Sequence, residues 1–166
     1  MMKNLLSALV AAALAAGGSQ AYAHGTQEPG KKAAKKISTE EKDFGREGDP
    51  AKVSKTIQVG MADTMRFSPD ALTVKAGDTV KFVLKNSGKQ KHEMVLGTEK
   101  ELKEHAALML KFPTMEHDAP YMAHVSAGKM GEIVWQCTKP GEYHYGCLIP
   151  GHFEAGMKGK ITVVSN

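Results

Sequence analysis

From residue 53 onward the chain is made almost wholly of short period-two runs, each closed by a turn. That pattern restricts it to a β architecture. Thr56-Ile57-Gln58-Val59 and Leu72-Thr73-Val74-Lys75 alternate apolar and polar residues. Ala76-Gly77-Asp78 then turns the chain into Thr79-Val80-Lys81-Phe82-Val83-Leu84-Lys85. Further strands are expected at 92–96, 131–137, 142–147 and 160–164. One segment breaks the rule: EKELKEHAALMLK at 99–111 has apolar residues at 102, 106, 109 and 110, which suits an amphipathic helix ended by Phe112-Pro113. An irregular segment is expected from there to Lys129. About seven short strands, one helical insertion and no internal repeat predict an all-β fold, a single Greek-key β-sandwich over 53–166.

What precedes residue 53 has a different texture. Residues 1–23 carry Lys3, an apolar run LLSALVAAALAA and a closing Ala21-Tyr22-Ala23. This reads as a secretory signal cleaved after Ala23, its apolar run too short for a comfortable membrane span. No later stretch is long and apolar enough to cross a bilayer, so the expected location is the periplasm. Residues 24–52 are charged, poor in apolar residues and interrupted by Gly and Pro, which predicts a flexible tail that docks through Phe44 near its end. The formal charge is +4, and +3 without Lys3, too mild to suggest nucleic acid as a partner. KKAAKK at 31–36 reads as a solvated run rather than a docking patch for an acidic partner.

The chemistry concentrates in YHYGCLIPGHFEAGM at 143–157, where Cys147, His152 and Met157 fall at equal intervals. Pro150, Gly151 and Gly156 exclude a helix there, so the three lie on a loop that turns back on itself. Alternation along the preceding strand places Tyr143, Tyr145 and Cys147 on the core face. A disulfide to the other cysteine, Cys137, is not expected. The two are separated by the length of a strand, roughly 16 Å, whereas a disulfide needs Cα atoms within about 7 Å. A free thiol in an oxidising compartment needs protection, and metal ligation provides it. Thiolate, imidazole and thioether together select copper. A trigonal copper site needs a second imidazole, and His92, opening a strand after the Asn86-Ser87-Gly88 turn region, is the best placed. His105 falls inside the helix, His117 and His124 in the irregular segment, and His144 faces away from Cys147.

Phe67-Ser68-Pro69, Val74-Lys75-Ala76-Gly77-Asp78-Thr79-Val80, Asn86 through His92, and Cys147-x4-His152-x4-Met157 together resemble a cupredoxin. His92-Glu93-Met94 and Met115-Glu116-His117-Asp118 add a similarity to the exported copper-resistance cupredoxins of the CopI type. The resemblance implies one type 1 copper per chain, with His92, Cys147 and His152 as equatorial ligands and Met157 as the axial one. Glu93 departs from the Asn or Ser that many electron-carrying cupredoxins have after the first histidine. A single cysteine in the ligand loop implies a mononuclear centre. The implied function is copper tolerance or homeostasis through a redox-active Cu(I)/Cu(II) site; the alternative is an electron shuttle between periplasmic partners. A closed four-ligand site leaves no open coordination position, so an enzyme is not expected. The expected partners are copper ions and a periplasmic redox or copper-handling protein, the chain itself being a monomer.

Other residues carry two readings. Met109, Met115, His117, Met122 and His124, with Met130 nearby, either form a second, softer Cu(I) site or pack as adaptable gap-fillers beneath the insertion. Their lack of a fixed spacing favours packing. His24, at the expected mature N-terminus, has the groups to chelate copper but heads a flexible tail. Cys137 alternates with Ile133 and Trp135 and is expected in the core, as is Met94; His144 is expected on an exposed strand face.

Overall fold

Alternation decides burial strand by strand in the computed structural model, which describes residues 36–115 and 117–166. The strands are β1 (Glu41–Lys42), β2 (Gly45–Glu47), β3 (Lys55–Ala62), β4 (Arg66–Ser68), β5 (Ala71–Lys75), β6 (Thr79–Asn86) and β7 (His92–Gly97). After helix α1 (Glu99–Lys111) come β8 (Met122–Val125), β9 (Met130–Gln136), β10 (Gly141–Gly146) and β11 (Lys158–Val164). Val59 and Met61, Leu72 and Val74, Phe82 and Leu84, Ile133 and Trp135, Ile161 and Val163 all point inward and are buried. They form one apolar core, the main source of stability for a sandwich of this kind.

Two sheets enclose that core. One runs β1-β2-β9-β6-β3-β4, the other β5-β11-β10-β7-β8. Strands β3 and β6 pair in parallel, as do β5 and β11, and the other neighbours are antiparallel. The chain crosses between the sheets from β4 to β5, β5 to β6, β6 to β7, β8 to β9 and β9 to β10, the inter-sheet connections of a Greek-key sandwich.

Helix α1 begins where the sequence placed it. Thr98 caps it, accepting from the Glu101 N–H at 3.2 Å while the Glu101 carboxylate accepts from the Thr98 N–H at 2.9 Å, a capping box. Leu102, Ala106 and Met109 pack against Val95, Met122, Leu148 and Phe153 on the outer face of the second sheet. Leu110, expected in that apolar stripe, is 51% exposed; it sits at the edge of the buried arc.

Two expectations on organisation are corrected. The ordered chain does not start at 53: β2 pairs with β9, and β1 pairs with β2. Phe44 is buried, stacked on Trp135 with ring centroids 5.2 Å apart, while the Trp135 indole N–H donates to the Phe44 carbonyl at 2.8 Å. Residues 41–42 and 45–47 are thus sheet, joined by a turn at Asp43-Phe44, and only Phe44 docks as expected. The irregular segment also contains a strand, β8, paired along β7. The signal segment, His24 and most of the basic run lie outside the described residues. Among those described, no helix is long and apolar enough to cross a membrane.

Candidate metal centre

Strands β7 and β10 pair through Gly97–His144, Leu96–Tyr145 and Val95–Gly146, and the pairing ends there. Beyond that point the two strands deliver His92 and Cys147, both fully buried. Gly146 is needed at the exit, since a Cβ there would sit 2.8 Å from the Phe153 ring. The loop then returns on its own backbone: the His152 N–H donates to the Ile149 carbonyl (2.9 Å), and the Met157 N–H to the His152 carbonyl (3.0 Å). The Cys147 N–H donates to the Met157 carbonyl (3.0 Å), closing the loop over the end of the sandwich. Gly151 and Gly156, at φ 87° and 99°, take conformations that side-chain-bearing residues disfavour.

The donor atoms converge. Cys147 Sγ lies 3.3 Å from His152 Nδ1, the two histidine rings are 5.1 Å apart between centroids, and one donor atom from each of His92, Cys147 and His152 lies within 4.8 Å of the others. Met157 is fully buried in the same core as Cys147. The His92 ring is held from outside: Nε2 is 3.1 Å from Asp63 Oδ1. Its Nδ1, like those of His124 and His144, is buried without a hydrogen-bond partner, a costly state; of the three, only that of His92 belongs to a ring grouped with a thiol and a second imidazole. An orphaned imidazole nitrogen beside a thiol and a second imidazole is the donor set that a soft, nitrogen- and sulfur-preferring metal needs.

Burial disfavours charge on two of these groups. Burial, with a further contribution from the Glu93 charge, pushes the Cys147 thiol up to about 12. Burial and the neighbouring His92 hold His152 below the usual histidine range.

Residues 52–164 match the family described as copper-binding proteins of the plastocyanin/azurin family. The chain belongs to that family. It is 54% identical over 120 residues to the copper-resistant cuproprotein CopI of Rubrivivax gelatinosus, covering 72% of this chain and 73% of that protein. It is 38% identical over 149 residues to CopI of Pseudomonas aeruginosa, covering 72% and 82%. Auracyanin B superimposes with a TM-score of 0.60 at 24% identity, over 72% of this chain and 96% of that one, which shows the shared cupredoxin fold.

Sequence reasoning missed how this cupredoxin supports its first histidine. Asp63, in the turn between β3 and β4, accepts from the N–H groups of Lys89 (2.7 Å) and Gln90 (3.2 Å) as well as meeting His92. The Lys89 N–H, then that of Gln90, holds its carboxyl below the usual aspartate range. Gly88 permits the approach, since a Cβ there would lie 2.0 Å from Asp63 Oδ1. Asn86 braces the same loop, its amide donating to the carbonyls of Gln90 (2.8 Å) and Val125 (2.9 Å). No motif marks Asp63; before folding it is an ordinary turn acid.

The methionines and histidines of the insertion are brought together after all. Met109, Met115, His117, Met122 and His124 line one cavity of about 320 Å³, which has His152 as part of its wall. His105, left out of that set in the sequence, joins it with its ring 4.9 Å from that of His117; its i, i+4 spacing to Met109 was the available signal. Burial and His117 hold His105 below the usual histidine range. Met130 does not line the cavity and is 63% exposed. Cys137 and Met94 are core residues, both cysteines are free, and the His144 side chain is half-buried rather than open.

Proposed function

We propose that this protein is a periplasmic, mononuclear type 1 copper protein that serves copper tolerance. His92 through Nδ1, Cys147 through Sγ and His152 through Nδ1 are the tight ligands, and Met157 is the weak fourth donor. The observation that carries the reading is the buried convergence of a thiol and two imidazoles, one of them with an orphaned nitrogen. Copper bound there supplies a one-electron Cu(I)/Cu(II) couple. The chain's own part is to exclude water, to hold the His152 imidazole below the usual histidine range and to give up the Cys147 proton on loading. Every proposed donor residue is at least nine-tenths buried, which leaves no open position for a substrate and argues against an enzyme.

Tolerance is favoured over electron shuttling by two things. Relatives at 54% and 38% identity are named copper-resistant cuproproteins. Beside His152 lies a cavity of thioethers, imidazoles and a carboxylate, where a dedicated carrier would more often present a flat apolar patch. That cavity is proposed as a second, softer site in which Met109, Met115 and Met122 with His117 and His124 hold Cu(I). Met109 and Met122 also pack under α1, so binding and gap-filling coexist in these residues.

The test is growth of a strain lacking the protein on graded copper, with and without oxygen, carrying either the wild-type chain or Cys147→Ala. Only the wild type should restore tolerance. Full rescue by Cys147→Ala would reject the type 1 site as the functional element and leave the methionine-histidine cavity as the better candidate.

A further inference from the structure

We propose that Glu93 is a positioning residue for the copper centre: its carboxylate replaces a missing ladder hydrogen bond and ties the peptide after Cys147 to the strand that carries His92. The register shows the gap. His144, Tyr145 and Gly146 on β10 oppose Gly97, Leu96 and Val95 on β7. Continued one step further at a time, the same antiparallel register sets Cys147 against Met94 and Leu148 against Glu93. Backbone pairing has stopped by then. The Leu148 N–H instead donates to Glu93 Oε1 at 2.9 Å, in a buried contact.

The other carboxylate oxygen reaches the opposite neighbour. On β8, His124 is the register partner of Glu93, and its Nδ1 lies 2.8 Å from Glu93 Oε2. His124 Nε2 in turn meets the His117 carbonyl at 3.1 Å. One side chain thus joins three segments: the end of β8, the start of β7 and the first peptide of the ligand loop. Glu93 is not itself a ligand. Alternation puts it on the opposite face of the sheet from His92 and Met94, the face on which Val95 packs under α1. It acts through the Leu148 peptide, and thereby on Cys147.

A carboxylate whose side chain is 5% exposed is tolerated only when its oxygens are partnered: Oε1 accepts from the Leu148 N–H, and Oε2 lies at ion-pair distance from His124 Nδ1 without hydrogen-bond alignment. Removing it strands the buried Leu148 N–H and frees the peptide next to the thiol. A metal site needs its donors held within about 0.5 Å, so the loosening is expected to reach the centre.

The test compares Glu93→Ala with Glu93→Gln in the full chain, using two readouts. In metal-free protein, exchange of the Leu148 amide hydrogen should speed up by roughly tenfold or more in Glu93→Ala, the scale of one lost hydrogen bond. Glu93→Gln should stay near wild type, because its amide oxygen still accepts. After Cu(II) loading, the thiolate-to-copper absorption should shift in wavelength and lose intensity in Glu93→Ala and be restored in Glu93→Gln. Glu93→Leu, which fills the space without an acceptor, gives the same comparison if the alanine variant does not fold. Unchanged Leu148 exchange and an unchanged band in the alanine variant would overturn the proposal, as would equal band shifts in the alanine and glutamine variants. The inference concerning copper rests on the type 1 reading. A wild-type chain without a thiolate band would remove that reading, while Leu148 exchange would still decide whether Glu93 holds the loop.

Discussion

Replacing Asp63 with alanine asks how much of the copper centre is held from outside the ligand set. The change removes three contacts at once: the N–H of Lys89 at 2.7 Å, the N–H of Gln90 at 3.2 Å and His92 Nε2 at 3.1 Å. The first two fasten the loop that enters β7, and the third fixes the ring whose Nδ1 is the orphaned donor. Supporting partners of this kind are worth about 10–100-fold in metal affinity, and loop and ring are lost together, so the upper half of that range is expected. Asp63→Asn keeps one acceptor oxygen, and its loss should be about tenfold or less. The assay is competition for Cu(II) against a chelator of known affinity, run beside amide exchange at Lys89 and Gln90. There is also a pH signature in the metal-free protein. Asp63 is held below its usual value of 3.8, chiefly by the Lys89 N–H. Its contribution to stability is therefore complete above that value and is lost as pH falls through the lower folded-state value. The stability difference between wild type and Asp63→Ala should shrink in that acid window, as the part that depends on the carboxylate charge is lost. An alanine variant that binds Cu(II) like the wild type, with unchanged exchange at both amides, would refute the reasoning.

Phe44→Ala should destabilise the fold by about 3 kcal/mol, the usual scale for emptying a buried phenylalanine site; urea melts read by the fluorescence of the single tryptophan, Trp135, check this. Burial, with a contribution from Asp78, pushes the Cys137 thiol up to about 11 from 9.0. Its stabilising effect is complete below pH 9 and falls between pH 9 and about 11, by up to about 1.4 kcal/mol per pH unit; Cys137→Val should make the profile of metal-free protein shallower across that window, leaving the slope that Cys147 contributes. Metal analysis after anaerobic Cu(I) loading should find more than one copper per chain, falling to one when Met115→Leu, His117→Ala and Met122→Leu are combined; a wild-type chain that holds only one would leave the cavity as packing.

The main strands were legible because each must bury one face. Strand β6 was expected at 79–85 and runs from Thr79 to Asn86, and α1 spans the expected 99–111. Of the strands that escaped notice, β4 alternates but has three residues and a single buried side chain, Phe67, and the others do not alternate. In β1 and β2, EK and GRE have no apolar stripe; they exist because β9 offers an edge to pair with, and Phe44 was their one visible trace. Strand β8 is buried at both ends and half-buried between, and it forms along the open edge of β7. At the site, Cys147, His152 and Met157 were readable because turn residues confine them to one loop, and His92 because it opens a strand. Asp63 and Glu93 were not readable in their roles. What makes each matter is a partner 26 to 55 residues away, an N–H of Lys89 or of Leu148, and only the closed sandwich brings those groups together.

The central claim is that Cys147 is a copper ligand in a closed type 1 site. The most direct measurement is titration of metal-free protein with Cu(II), followed by visible absorption and metal analysis, beside the same titration of Cys147→Ala. The wild type should develop intense thiolate-to-copper absorption that saturates with one copper at this site, and the variant should develop none. A wild-type chain that binds Cu(II) with only weak, nearly colourless absorption, or a Cys147→Ala chain that keeps the intense band, would contradict it.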